Sequence, residues 1–152
     1  MDLASPPVAT PAGSVNAATL RVGRIIVDDG VPAVVRRRWL PVTASVMGVY
    51  WDIFAGRGNH RRCEIDFHVP WGSPGFVTLD YIRAGRRTGY GNLRRAVRAL
   101  EQYARDRRSH AIVAHVTNPM ITDRLLTRLG WEQHCLHWRG RHWIRRLERV
   151  ET

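Results

Sequence analysis

Two groups of residues in this chain have the types and spacing to do chemistry. The first is Arg86-Arg87-Thr88-Gly89-Tyr90-Gly91-Asn92, which follows a strand-like run, Phe76 to Ile82, and opens a helical stretch, residues 92–108. Glycines at 89 and 91 permit a tight turn and let a ligand approach the backbone. A helix starting there presents unpaired N–H groups and the positive end of its dipole. With the guanidinium groups of Arg86 and Arg87 beside it, the stretch reads as a cradle for phosphate or pyrophosphate. The second group carries protons. Glu64, Asp66 and His68 alternate along the run from Cys63 to Val69, so they share one face of a strand, and Asp80 sits on the next. Such a set can supply a general base. The same alternation also suits a solvated face that does no chemistry.

A third cluster, His134, Cys135, His137 and His142, is rich in nitrogen and sulfur. Zinc needs four such ligands converging as a tetrahedron. The spacing fits no closed zinc pattern, and strand alternation sends His134 and Cys135 to opposite faces, so no metal is expected. The tryptophans at 39, 51, 71, 131, 138 and 143 read as core and rim rather than as platforms for nucleic-acid bases.

The elements that must position these groups follow from periodicity. Residues 1–19 are rich in Ala, Pro, Ser and Thr and read as a disordered tail. Leu20 to Val27 and Val31 to Leu40 read as a hairpin around Asp28-Asp29-Gly30. Arg36-Arg37-Arg38 on its second strand either touch phosphate or keep an edge strand soluble. Residues 44–54 have the spacing of a short helix that buries Val46, Val49, Tyr50 and Phe54. The runs from Cys63 to Val69 and from Phe76 to Ile82 make an antiparallel pair. In the helix over 92–108, Leu93, Ala96, Val97, Leu100, Tyr103 and Ala104 form one apolar stripe, and Glu101 is placed to pair with Arg105. Ala111 to Val116 is apolar enough for a central strand covered on both faces. Asn118 suits an N-cap, Pro119 a first helical position and Gly130 a helix stop. Trp131 to Trp138 and Arg141 to Leu147 read as a closing hairpin turning at Arg139-Gly140.

Composition bounds the function. A chain of 152 residues with 44% hydrophobic residues suits a single domain, 20–152, with a real core. The 24 basic residues against 13 acidic ones give a net charge of +11, and every one of the 24 is arginine. That charge favours polyanions, but it is spread along the chain, so any nucleic-acid binding is expected to be non-specific. Cys63 and Cys135 are too few for a disulfide framework and read as reduced thiols of a cytoplasmic protein. No apolar run approaches the ~20 residues of a membrane span. The stretch from Met1 lacks the charged and apolar regions of a secretory signal.

Arg86-x-x-Gly89-x-Gly91 resembles the acetyl-CoA signature R/Q-x-x-G-x-G/A of the GNAT family of acyl-CoA N-acyltransferases. The helix behind it, the strand over 111–116, Asn118-Pro119, and a short helix ending in Leu129-Gly130-Trp131 resemble the second half of that family in order. The likeness spans residues 63–148 and is clearest over 76–131. It implies an α/β fold with a mixed, mostly antiparallel central sheet, flanking helices and a shortened N-terminal half. It implies acetyl transfer from acetyl-CoA, as co-substrate, to an amine acceptor. The pyrophosphate would rest on the backbone of Arg86, Arg87, Thr88, Gly89, Tyr90, Gly91 and Asn92. The pantetheine arm would lie along Tyr81-Ile82-Arg83, where the family often has proline at the position of Arg83. Asn118 matches the family's asparagine near the pantetheine, a role compatible with capping a helix. The family's general-acid tyrosine falls at Leu126, so that acid is missing. Tyr90, Tyr81 or a water is left to replace it, while Tyr90 also suits simple packing over the helix start. Glu64, Asp66, His68 and Asp80 are the candidates to deprotonate the amine. A non-catalytic CoA-binding protein and a basic nucleic-acid-binding module are the alternatives.

Overall fold

Alternation of apolar and polar residues builds the sheet. The computed structural model describes residues 17–38, 62–84, 88–117, 119 and 121–148. Strand β1 (Val22–Asp28) buries Gly23, Ile25 and Val27 and leaves the residues between them half-buried. It turns through Gly30, at φ 68, into β2 (Val31–Arg37). Next come β3 (Cys63–His68) and β4 (Phe76–Ala84). Helix α1 (Tyr90–Asp106) leads to β5 (Ala111–Val116), and helix α2 (Asp123–Arg128) to β6 (Glu132–Gln133) and β7 (Arg141–Arg146). The seven strands form one sheet in the order β2-β1-β3-β4-β5-β7-β6. Every neighbouring pair is antiparallel except β4 and β5, which are parallel and joined through α1. The protein is thus α/β, with a mixed and mostly antiparallel sheet and few helices among the described residues.

The apolar stripe of α1 packs on one face of this sheet. Ala96, Val97, Leu100, Tyr103 and Ala104 are buried there with Ile25, Val27, Ile65, Phe67, Val77 and Ile112. The Phe67 and Tyr103 rings meet at 4.4 Å between centroids. A Cβ at Gly23 would lie 2.4 Å from Phe67 Cζ, so only glycine lets that ring lie across β1. Glu101 is buried on the same helix and accepts from Arg145 of β7 at 3.0 Å, with the expected partner Arg105 at 3.6 Å. The Tyr103 hydroxyl donates to the Leu20 carbonyl, and Arg107 donates to that of Ala18 at 2.5 Å.

Several sequence expectations need correction. Ala17–Thr19 is a 3-10 turn anchored on α1, so the tail reading stops short of these residues. Helix α1 begins at Tyr90 and ends by Arg108, whose φ of 58 breaks the helical path. Helix α2 starts well past Pro119, because Thr122 is its N-cap and accepts from the Leu125 N–H at 3.2 Å. Its end agrees with the sequence: Gly130 has φ 84, Gly130 N–H donates to Thr127 O and Trp131 N–H to Leu126 O. The closing hairpin keeps only two residues of its first strand, since Cys135 takes φ 51 and turns the chain away. His115 on β5 is exposed, so that strand is not covered on both faces. The expected helix over 44–54 lies outside the described residues.

Candidate functional site

The site is built where the two parallel strands part. β4 and β5 pair from Phe76↔Ala111 to Leu79↔Ala114. Beyond that point β4 runs on to Ala84 paired only with β3, through Tyr81↔Asp66, Ile82↔Ile65, Arg83↔Glu64 and Ala84↔Cys63. β5 runs on through His115 and Val116 paired only with β7. The β4 edge from Asp80 to Ala84 therefore faces an opening with no strand of the described residues on it. The chain then passes to Thr88 and Gly89, the N-cap of α1.

A bulge marks the parting. Phe67 pairs with Leu79 and Asp66 with Tyr81, so Asp80 is the extra residue on β4. A bulge bends its strand and re-aims a side chain. Here the Asp80 carboxylate meets His68, with Oδ1 2.7 Å from Nδ1. An ionised carboxylate only accepts, so opposite one Nδ1 is the donor and Nε2 is left outside the pair. The Asp80 side chain is 8% exposed and that of His68 27%. The second Asp80 oxygen, Oδ2, is buried with no hydrogen-bond partner among the described residues. Burial pushes the Asp80 carboxyl above its ordinary pKa; the bond to His68 and its charge, and Arg38, pull against this, while Asp66 adds to it.

The other two carboxylates of this face are occupied. Asp66 accepts from Arg24 at 2.7 and 3.0 Å and from Arg38 at 2.8 Å. Glu64 lies 3.1 Å from Arg83, 3.4 Å from Arg24 and 3.9 Å from Arg62. Asp66 lies beside the His68–Asp80 pair and Glu64 further along β3, and the oxygens of both hold guanidinium groups in place.

The glycine turn has a different logic from the expected one. Neither Gly89, at φ −74, nor Gly91 has a positive φ, so neither residue is required by its backbone conformation. A Cβ at either would meet no described atom within 4 Å. The first turn of α1 has no side-chain cap. Asn92 is turned inward: it is buried and its amide donates to Asp29 of the β1–β2 turn at 2.6 Å. Thr88 donates to the Arg62 carbonyl at 3.0 Å. Tyr90 is 41% exposed, and the Arg128 guanidinium of α2 sits 5.4 Å from its ring centroid. On β4, Arg83 lies 5.6 Å from the Tyr81 ring, and Ile82 packs against the core. Arg86, Arg87 and Asn118 lie outside the described residues.

Leu126, where the family's acid would stand, is 3% exposed and part of the core. Among the described residues no three His, Cys, Asp or Glu side chains gather as a metal group. Instead His142 stacks on His115 at 4.5 Å between centroids, with Trp138 edge-on to His142 at 5.4 Å. A hollow lined by His134, Leu136, Arg141 and His142 adjoins that cluster. Both cysteines are free, and no helix of the described residues is long and apolar enough to cross a membrane.

The sequence offered His68 and Asp80 as two members of a face; it did not show the bulge that joins them. No residue type announces that bulge, because Asp80 fits ordinary alternation as well.

Comparisons with protein-family models, with curated proteins and with solved structures find no match to this chain.

Proposed function

We propose that the protein binds acetyl-CoA in the opening between β4 and β5 and transfers the acetyl group to an amine, as the resemblance to the GNAT family implies. One observation carries this reading. A strand edge that no strand of the described residues covers, from Asp80 to Ala84, runs toward a helix N-terminus with no side-chain cap and two glycines with open space before them. An extended amide-bearing arm can pair along such an edge, and a pyrophosphate suits such a helix end. Tyr81, Ile82 and Arg83 would offer backbone groups to the pantetheine, and Gly89, Tyr90 and Gly91 amides to the pyrophosphate. The amine would attack the thioester carbonyl directly, with backbone N–H groups polarising its oxygen.

Calorimetry with acetyl-CoA on the parent and on Gly89→Asp tests it. The parent should bind, and the variant, with bulk and negative charge at the helix end, should lose binding while keeping its thermal midpoint. A parent that gives no heat and no shift in midpoint with acetyl-CoA ends this reading. The net charge of +11 favours a second one, a basic module that holds nucleic acid. The same instrument separates the two with a short DNA duplex at two salt concentrations, where phosphate contacts alone weaken steeply.

A further inference from the structure

Resting on the reading above, we propose that His68, held by Asp80, takes the proton the acceptor amine must shed. The argument starts from Asp80. A carboxylate 8% exposed is costly to bury unless a partner compensates it. Among the described residues its one hydrogen bond is to the imidazole Nδ1, and Oδ2 has no partner there. Glu64 and Asp66 cannot replace it, because their oxygens are held by Arg24, Arg38, Arg62 and Arg83. The pair also stands in the right place. Asp80 is the first residue of β4 past the last pair with β5, so it stands at the start of the opening in which the thioester would lie, with His68 bonded to it from β3.

The step balances without any further reagent. An alkylammonium gives one proton to His68 Nε2, and the freed lone pair attacks the thioester carbon. A C–N bond forms and the C–S bond breaks, its electron pair leaving on sulfur. The nitrogen loses a second proton, which ends on the thiolate, and the imidazolium returns its own to solvent. The products are an N-substituted acetamide, CoA thiol and one proton. Asp80 touches neither reactant in this scheme and is a positioning residue.

Among the described residues, Asp66 and Arg38 act on Asp80 directly, Arg24 holds Asp66, Tyr81 is paired opposite Asp66, and Glu64 with Arg83 stands further along the same two strands. His115 stands one register step beyond the last β4–β5 pair, on the opposite lip. A pH profile therefore needs variants to assign it.

The test measures thiol release from acetyl-CoA with spermidine, tyramine, aniline and a lysine peptide, from pH 6 to 9. The proteins are the parent, His68→Gln, His68→Ala, Asp80→Asn and His115→Gln, with acetyl-CoA calorimetry on each. In the parent, kcat should rise with pH through one ionisation. His68→Gln should lower kcat by about 100-fold or more and flatten that rise, with acetyl-CoA affinity unchanged. Added imidazole should restore part of the rate to His68→Ala, which a structural role would not allow. Asp80→Asn should lower kcat and move the ionisation, and His115→Gln should leave the profile in place. Variants as fast as the parent, or a rise that follows His115, overturn the proposal. So does a parent that binds acetyl-CoA and turns over none of the four amines, and in that case the cofactor reading still stands. A parent without acetyl-CoA binding removes both, and calorimetry of the parent alone reveals that.

Discussion

Asp66→Asn separates a structural carboxylate from a catalytic one. The change keeps the side chain's shape and removes the charge that Arg24 and Arg38 share at 2.7 and 2.8 Å. The Asp66 side chain is 3% exposed, against 22% for Arg24 and 32% for Arg38. Removing one partner of a buried ion pair costs about 3–5 kcal/mol, because the other charge is left buried and unmatched. Water reaches both guanidinium groups in part, so the low end applies, about 3 kcal/mol. For a domain of this size that lowers the thermal midpoint by roughly 10 °C. Differential scanning calorimetry at pH 7 measures it, with a urea titration giving the free energy. Below the new midpoint, turnover per folded molecule should stay within about threefold of the parent, since Asp66 takes no proton in the scheme above. A midpoint within about 2 °C of the parent's would refute the ion-pair accounting. A collapse of kcat at an unchanged midpoint would make Asp66 the base and displace His68.

Three further outcomes follow from packing and burial. Gly23→Ala should cost about 1–3 kcal/mol by urea titration, since its methyl would press on the Phe67 ring, and a neutral result would mean that ring moves freely. Burial pushes the Cys63 thiol from 9.0 up to about 12. Because the folded value is the higher, the stability from keeping this thiol protonated is whole below pH 9. It is lost as pH rises toward 12, at about 1.4 kcal/mol per unit. Tyr103, also raised to about 12, adds to that loss above pH 10. The urea midpoint should accordingly be lower at pH 10 than at pH 8, and Cys63→Ala should flatten the dependence. Iodoacetamide should label Cys135 in the folded protein and spare Cys63; equal rates would contradict the burial.

Much of the sheet could be read from alternation. The positions of Ile25, Val27, Ile65 and Phe67 announce their strands, and the stripe from Leu93 to Ala104 announces α1. Those signals are strong because each repeats over several turns or pleats. Single-residue decisions were hidden. Thr122 caps α2 by reaching the Leu125 amide, a role its residue type alone did not single out. Cys135 ends a strand through a left-handed backbone that its residue type does not advertise. In the site, the glycine turn was visible and its reason was not, since neither glycine has the conformation that would demand one. The union of His68 with Asp80 rests on a register shift between two strands, a property of the pair that neither strand's own pattern contains.

The lone parallel contact has a mechanical consequence. Strands β2, β1, β3 and β4 come from the chain up to Ala84, and β5, β7 and β6 from Ala111 onward. Between these two blocks the hydrogen-bonded seam spans four residue pairs, from Phe76↔Ala111 to Leu79↔Ala114, with α1 laid across it. Each block closes its own ladders from a contiguous stretch of chain, so either can keep its shape while the angle between them changes. Any change of angle between the blocks would be taken up at this seam, beneath α1, and would leave every antiparallel ladder intact.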